Sequence, residues 1–484
     1  MTLTRNHIPL IKAIQNHKKT NPVSFHVPGH KNGLFFHNSL LEDFQEVLTY
    51  DVTELVGLDD LHAPSGAIRK AQEEAARFYG AKETFFLVGG STVGNLAMVY
   101  GAFQRGDQVF VQRNSHKSVF HAVQIAGLHP ILLTPEFDTI SGHPIGISVA
   151  ALSEAIRQYP DAKGVILTYP NYFGVSIDLQ ETISAAKQSD LLVLVDEAHA
   201  AHYCLGEPFP VSTLQQGADV VVQSAHKMLP ALTMSSFLHL NDKRSDSLRH
   251  KIKEALSMFQ SSSPSYLLMA SLDGARAYAE SMTKSEIATI LAGVDALKKE
   301  LSSIKQIKVV NWNDNYHCDP LKVTIKTTTN LTGFKLQDIF IENNLYPELA
   351  DEKHVLLVFG LGNIKIPNGL LQSIQQTLNP YEVNEETRTP PFLNVRMGAQ
   401  KLELHSDAIQ KAEKKRVPFE KAVGLIAAEA IVPYPPGIPF VLPGERITEQ
   451  TIEGILSLLD AGAVFQVEQE LKDVLVVDVE DDNE

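Results

Sequence analysis

Ala218-Asp219-Val220-Val221-Val222-Gln223-Ser224-Ala225-His226-Lys227 runs from a β-favouring stretch straight into Ser-x-His-Lys. The apolar run is short and continuous, the pattern of a strand buried on both faces of a parallel sheet. A lysine just past the carboxyl end of such a strand stands where open α/β sheets bind their ligands. In a largely dry pocket its amine loses charge stabilisation and becomes a nucleophile. The same ten residues also suit a surface lysine beyond a strand, so the other strand ends have to decide.

Outward from that stretch, helix and strand patterns alternate from about residue 63 to 300. Ala67 to Tyr79 predicts a helix that stops at Gly80. Thr84–Val88, Gln108–Gln112, Pro130–Leu133, Gly164–Thr168 and Leu191–Val195 read as buried strands, mostly separated by helical segments. This alternation predicts an α/β fold with a central, mostly parallel, helix-covered sheet. Before it, residues 1–62 form an N-terminal segment with a helix from Pro9 to Lys18 and the loop Phe25-His26-Val27-Pro28-Gly29-His30-Lys31. After the large domain at 63–304, a small α/β domain is expected at 305–380, with strands near Lys308 and Leu321 and a helix from Lys335. A polar linker spans Asn379–Pro391. A C-terminal α+β domain at 391–484 carries an expected helix near Pro418–Ala430 and the turn Tyr434-Pro435-Pro436-Gly437-Ile438-Pro439.

Composition bounds the function. A length of 484 residues allows two or three domains with ample core. The net charge of −15 argues against a nucleic-acid partner, which calls for a basic patch. The two cysteines, Cys204 and Cys318, are too few for a disulfide framework or a cysteine metal site. No apolar run reaches the length of a membrane span, and residues 1–21 lack the apolar core of a signal peptide. The expectation is a soluble, cytoplasmic protein.

Three strand ends carry chemistry. Gly89-Gly90-Ser91-Thr92 lies between a strand and a helix, where glycines admit a phosphate and hydroxyls and a helix N-terminus bind it. No Gly-Lys pair occurs, so this is not a nucleotide P-loop. Leu191 to His199 ends an apolar strand on Asp196, a carboxylate that is costly to bury without a partner such as a protonated pyridine nitrogen. Glu197, His199 and His202 offer a metal reading, set aside for want of a ligand-spacing signature, and no metal is expected. With Lys227 as the third station, the set matches what pyridoxal 5'-phosphate requires: a phosphate anchor, an acid for the ring nitrogen and an amine for the aldehyde. His116 is placed to stack on the ring and Ala198 to pack on its other face, while Ser224 and His226 flank the lysine as further phosphate contacts.

Phe25 to Lys31, Arg113-Asn114-Ser115-His116-Lys117-Ser118, Asp196-Glu197-Ala198-His199, Ser224-Ala225-His226-Lys227 and Tyr434 to Pro439 together resemble the bacterial ornithine/lysine/arginine decarboxylases, in their short form, over about residues 7–465. The resemblance implies an aspartate-aminotransferase-type (fold type I) enzyme working as a homodimer with shared active sites, in polyamine or diamine metabolism. It implies that Lys227 holds the cofactor, Asp196 keeps the pyridine nitrogen protonated and His116 stacks on the ring. Ser91, Thr92, Ser224 and His226 bind the phosphate, and Ser261 reaches the neighbouring subunit's phosphate. The reaction implied is loss of CO2 from lysine, arginine or ornithine, the first two favoured, with Lys227 or His199 returning the proton. Family members often have Gly-Thr-Ser-Thr where this chain has Gly89-Gly90-Ser91-Thr92, a departure bearing on cofactor affinity. For the substrate's distal cation the candidates are Asp59, Asp60 and Glu445. Two readings compete: another fold-type-I enzyme such as an aminotransferase or lyase, with Arg396 as a loose carboxylate-binding candidate, and a catalytically silent relative.

Overall fold

The computed structural model describes residues 7–241, 246–384, 398–467 and 471–478. Two compact units divide the chain, Met1–Phe103 with Leu192–Ile287, and Gln104–Leu191 with Ala288–Glu484.

In the first unit the strands lie in the order Glu83–Leu87, Ser236–Leu240, Val220–Gln223, Leu192–Asp196. The last two are parallel, with Asp196 opposite Val222; the other two pairings are antiparallel. Val220 to Gln223 is buried throughout, as a β-branched run between two partners should be. The helix Gly90–Ala102 lies directly on this sheet, because Gly94 removes the atom that would keep them apart. A Cβ there would stand 2.4 Å from Val222 Cγ2. Gly101 does the same on the helix Asp246–Phe259, where a Cβ would come within 3.0 Å of the Ile252 backbone. The helix Ala67–Tyr79 stops at Gly80, whose φ of +73° lets its N–H turn back to Ala76 and Arg77.

In the second unit Gly164–Thr168, Gln108–Gln112 and His129–Leu133 run parallel, and Ala399–Lys401 closes the edge antiparallel. A smaller antiparallel sheet, Ile307–Val309, Lys322–Thr327, His354–Val358 and Leu349–Ala350, carries the helix Gly333–Glu342, which in turn packs against Leu370–Leu378. The last part of the chain builds its own core around the helix Glu449–Ala461 and the pair Lys414–Pro418 with Asp473–Val477. The fold is α/β with a mostly parallel large sheet in its core.

One expected element is absent. No helix spans Pro418–Ala430: Lys414–Pro418 is a strand, Phe419–Lys421 a single 3₁₀ turn, and Gly424 sits at φ +86°, which ends any helical path. The expected linker reaches into residues 385–391, outside the described residues.

Candidate active site

In the first unit three stations come together at strand ends. Asp196, the last residue of its strand, is 4% exposed. Asn95 Nδ2 donates to its Oδ2 at 2.9 Å and Ala198 N to its Oδ1 at 3.2 Å. Asn95 sits one helical turn after Ser91 on the face pressed against the sheet, so the close packing at Gly94 aims it at the carboxylate. Sequence reading missed Asn95; its signal was an asparagine at i+4 from a candidate phosphate-binding serine, on a helix rich in small residues.

The neighbouring strand carries Lys227 on the four-residue helix Ala225–Met228, and Lys227 Nζ lies 3.0 Å from His199 Nε2. Ser224 Oγ and Ser91 Oγ are 2.7 Å apart, and Ser91 Oγ reaches Ser236 Oγ at 3.4 Å. Thr92 is exposed at the same helix N-terminus. His226 Nδ1 lies 3.0 Å from the Ser235 carbonyl oxygen. Ser261 is exposed, with its carbonyl accepting from His62 Nε2 at 2.9 Å. Asp60 Oδ1 accepts from His62 N at 2.8 Å. This donor set fits pyridoxal phosphate: hydroxyls gathered at a helix N-terminus suit a dianion, a buried oriented carboxylate suits a pyridinium, and a partly buried amine suits an aldehyde.

Beneath Asp196 lies a polar chain that sequence reading did not foresee. Glu197 is fully buried and accepts from Ser212 Oγ (2.7 Å), Thr213 N (2.6 Å), Thr213 Oγ1 (2.9 Å) and Gln223 Nε2. Gln223 Oε1 meets His239 Nε2 at 3.1 Å, and His239 Nδ1 meets Thr84 Oγ1 at 2.9 Å. Burial pushes the Glu197 carboxyl up to about 7 against the pull of these donors, and pushes the His239 imidazole down to about 3. With its carboxylate so engaged, Glu197 is not offered to His199 and His202 as a metal ligand.

In the second unit His116 caps the helix Lys117–Ala126, its Nδ1 accepting from Ser118 N at 3.2 Å. Gly437, at φ +87°, lies against this ring, since a Cβ would come within 3.0 Å of His116 Nε2; Gly437 O accepts from Lys117 N at 3.0 Å. Arg113 fastens the turn from beneath. It donates to Pro439 O (2.8 Å) and Phe440 O (3.0 Å), and to both oxygens of Glu445 at 2.9 Å.

Two of the expected substrate carboxylates are therefore engaged elsewhere. Glu445 is held bidentate by Arg113 and also accepts from Leu442 N at 2.8 Å. Asp59 accepts the backbone N–H groups of Ser65, Gly66, Ile68 and Arg69 at 2.7–3.2 Å, capping the helix Ala67–Tyr79 from eight residues upstream. Burial alone would raise its pKa; the amides of Ser65, Arg69, Asp60 and Gly66 outweigh it and hold the carboxyl below the ordinary value. Asp59→Ala is expected to cost about 1 kcal/mol of stability and leave KM unchanged. Because the folded pKa is depressed, this contribution is present above about pH 4 and lost as pH falls through the folded value. A tenfold rise in KM at unchanged thermal stability would return Asp59 to the substrate. Arg396 lies outside the described residues.

Residues 8–314 match the model of the Orn/Lys/Arg decarboxylase major domain, and residues 393–466 that of the Orn/Lys/Arg decarboxylase C-terminal domain. The chain is 45% identical over 474 residues to the uncharacterized protein YaaO of Bacillus subtilis (strain 168), covering 96% of this chain and 97% of that one. It is 33% identical over 479 residues to the arginine decarboxylase of the same organism, covering 96% of each. Lysine decarboxylase A from Pseudomonas aeruginosa shares the fold, with a TM-score of 0.79 at 21% identity over 97% of this chain and 80% of that one. Motif order, strand-end geometry and full-length similarity agree: the chain belongs to the Orn/Lys/Arg decarboxylase family.

Proposed function

We propose that this chain is a pyridoxal-phosphate-dependent decarboxylase acting on arginine. The observation that carries the reading is the pairing of a buried, doubly hydrogen-bonded Asp196 on one strand with Lys227 just beyond the adjacent parallel strand. Ser91, Thr92, Ser224 and His226 would hold the cofactor phosphate, with Ser261 reaching the phosphate of a neighbouring copy. Asp196 would hold the ring nitrogen, Lys227 the aldehyde carbon, and His116 the ring face. When bound, the cofactor supplies an electron-poor ring that accepts the electron pair released as CO2 departs. His199 Nε2 lies 3.0 Å from Lys227 Nζ, where it would exchange a proton with that amine, and Lys227 would return it to the substrate Cα. Asp60 is the remaining candidate for the distal cation.

Arginine is favoured over lysine because the relative named arginine decarboxylase matches this chain over 96% of both lengths. The P. aeruginosa lysine decarboxylase LdcA is 25% identical, and the match covers 76% of its length. The test is incubation of purified protein and pyridoxal phosphate with arginine, lysine and ornithine separately, measuring CO2 and the amine formed. Fastest release from arginine is expected. No CO2 from any of the three sinks the reading.

A homodimer with shared sites, in the cytoplasm, completes the proposal. Phe25, Leu34, Phe35 and Val56, all within residues 25–56, are 93%, 74%, 68% and fully exposed, apolar side chains that a dimer contact would cover. Among the described residues no helix is long and apolar enough to cross a membrane. Phe35→Asp is expected to shift the protein from dimer toward monomer in sedimentation and to lower kcat with it. A wild-type chain that sediments as a monomer at micromolar concentration overturns this part.

A further inference from the structure

His143, Asp351 and His354 converge within the second unit, and the proposed reaction uses none of them. Asp351 and His354 bound the tight turn between Leu349–Ala350 and His354–Val358, where Asp351 N donates to His354 O at 2.9 Å. Asp351 Oδ1 accepts the backbone N–H groups of Lys353 and His354 at 2.8 and 2.7 Å, which fixes the carboxylate plane. His143 arrives from a separate hairpin, Glu136–Phe137 with Pro144–Gly146, and its Nε2 lies 2.7 Å from Asp351 Oδ2. His354 Nδ1 lies 3.1 and 3.2 Å from the two carboxylate oxygens.

The cluster is walled by aromatic rings and closely packed backbone. His143 stacks on Phe173 with ring centroids 3.8 Å apart, and Trp312 stands at 5.8 Å. Gly333 clamps the turn from outside, since a Cβ there would come within 2.3 Å of Asp351 O and 2.7 Å of His354 N. His143 and His354 are 8% and 3% exposed. Each ring turns one nitrogen to Asp351, while His143 Nδ1 and His354 Nε2 are buried without a hydrogen-bond partner.

We infer that His143, Asp351 and His354 form a binding site for a divalent cation of the zinc class, tying the two hairpins together. Two imidazoles and one carboxylate are the borderline donor set such ions select, and three protein ligands leave a position for water. The three ligand atoms lie within 4.8 Å of one another. In a tetrahedral site with bonds of about 2.0–2.1 Å, ligand atoms stand roughly 3.3 Å apart, so even a pair at the 4.8 Å limit closes on a metal by about 1.5 Å shared between its two side chains. The spacing 143, 351, 354 has no local signature in sequence, because the fold alone unites its two halves.

The test uses the full-length, pyridoxal-phosphate-loaded protein, stripped with a chelator and dialysed against zinc. A single bound zinc per chain is expected, together with a rise in the unfolding midpoint. Cobalt in its place should give the visible d–d absorption of a tetrahedral nitrogen and oxygen site. His143→Ala and Asp351→Asn should each weaken zinc binding by about tenfold or more and remove the cobalt bands. A wild-type protein that holds no zinc and gains no stability from it overturns the proposal, whether or not the variants fold. So does equal binding by wild type and both variants. None of these readouts depends on decarboxylation.

Discussion

Lys227→Ala is expected to lower kcat by on the order of 10⁴-fold, the upper range for loss of a proton-transferring group. The fold should survive, because position 227 lies in a short helical turn where alanine is well tolerated. What disappears is the only amine at 3.0 Å from His199 Nε2 among the contacts of that ring described above. On the proposed reading two functions would leave with it, the covalent grip on the cofactor aldehyde and the proton returned to Cα. They separate experimentally. Borohydride should fix a pyridoxyl group on Lys227 in the wild type and on no equivalent residue in the variant, and added small amines should restore part of the rate by replacing the proton carrier. Turnover within tenfold of wild type would remove Lys227 from the reaction altogether.

Asp196→Asn is the second large effect, on the order of 10³-fold in kcat, comparable to removing one preorganised electrostatic partner of a transition state. The substitution is nearly isosteric. Asn95 can rotate its amide to face the new group, and the Ala198 N–H keeps an oxygen to donate to. Local structure is thereby preserved while the negative charge is lost, so the rate reports on charge alone. Cofactor should still bind, seen as retained absorbance after gel filtration. Full activity in that variant would show that the ring nitrogen needs no acid partner, and the functional proposal would fall with it.

The parts legible in sequence were those where chemistry and periodicity are local. Val220 to Val222 announced a doubly covered strand because nothing polar interrupts it, and Gly80 ended its helix as a glycine at φ +73° should. Ser236–Leu240 escaped notice because its polar residues are buried against partners the fold supplies, Ser236 against Ser91 of a helix and His239 against Thr84 and Gln223 of the flanking strands. Asp59 and Glu445 looked like acids awaiting a substrate, since the amides of 65–69 and the guanidinium at 113 are brought to them only by the folded chain. Asn95 is the converse case: an unremarked amide gains importance from a glycine beside it that lets its helix descend onto the sheet.

The clasp between Arg113 and Glu445 joins partners 332 residues apart. A ribosome adding about 5–20 residues per second needs roughly 17 to 66 s to travel between them. Throughout that interval the nascent chain carries Arg113 and His116 without the proline turn that later closes over them. A product ending before residue 434 would never gain that turn, so its Arg113 would lack the partners at 439, 440 and 445.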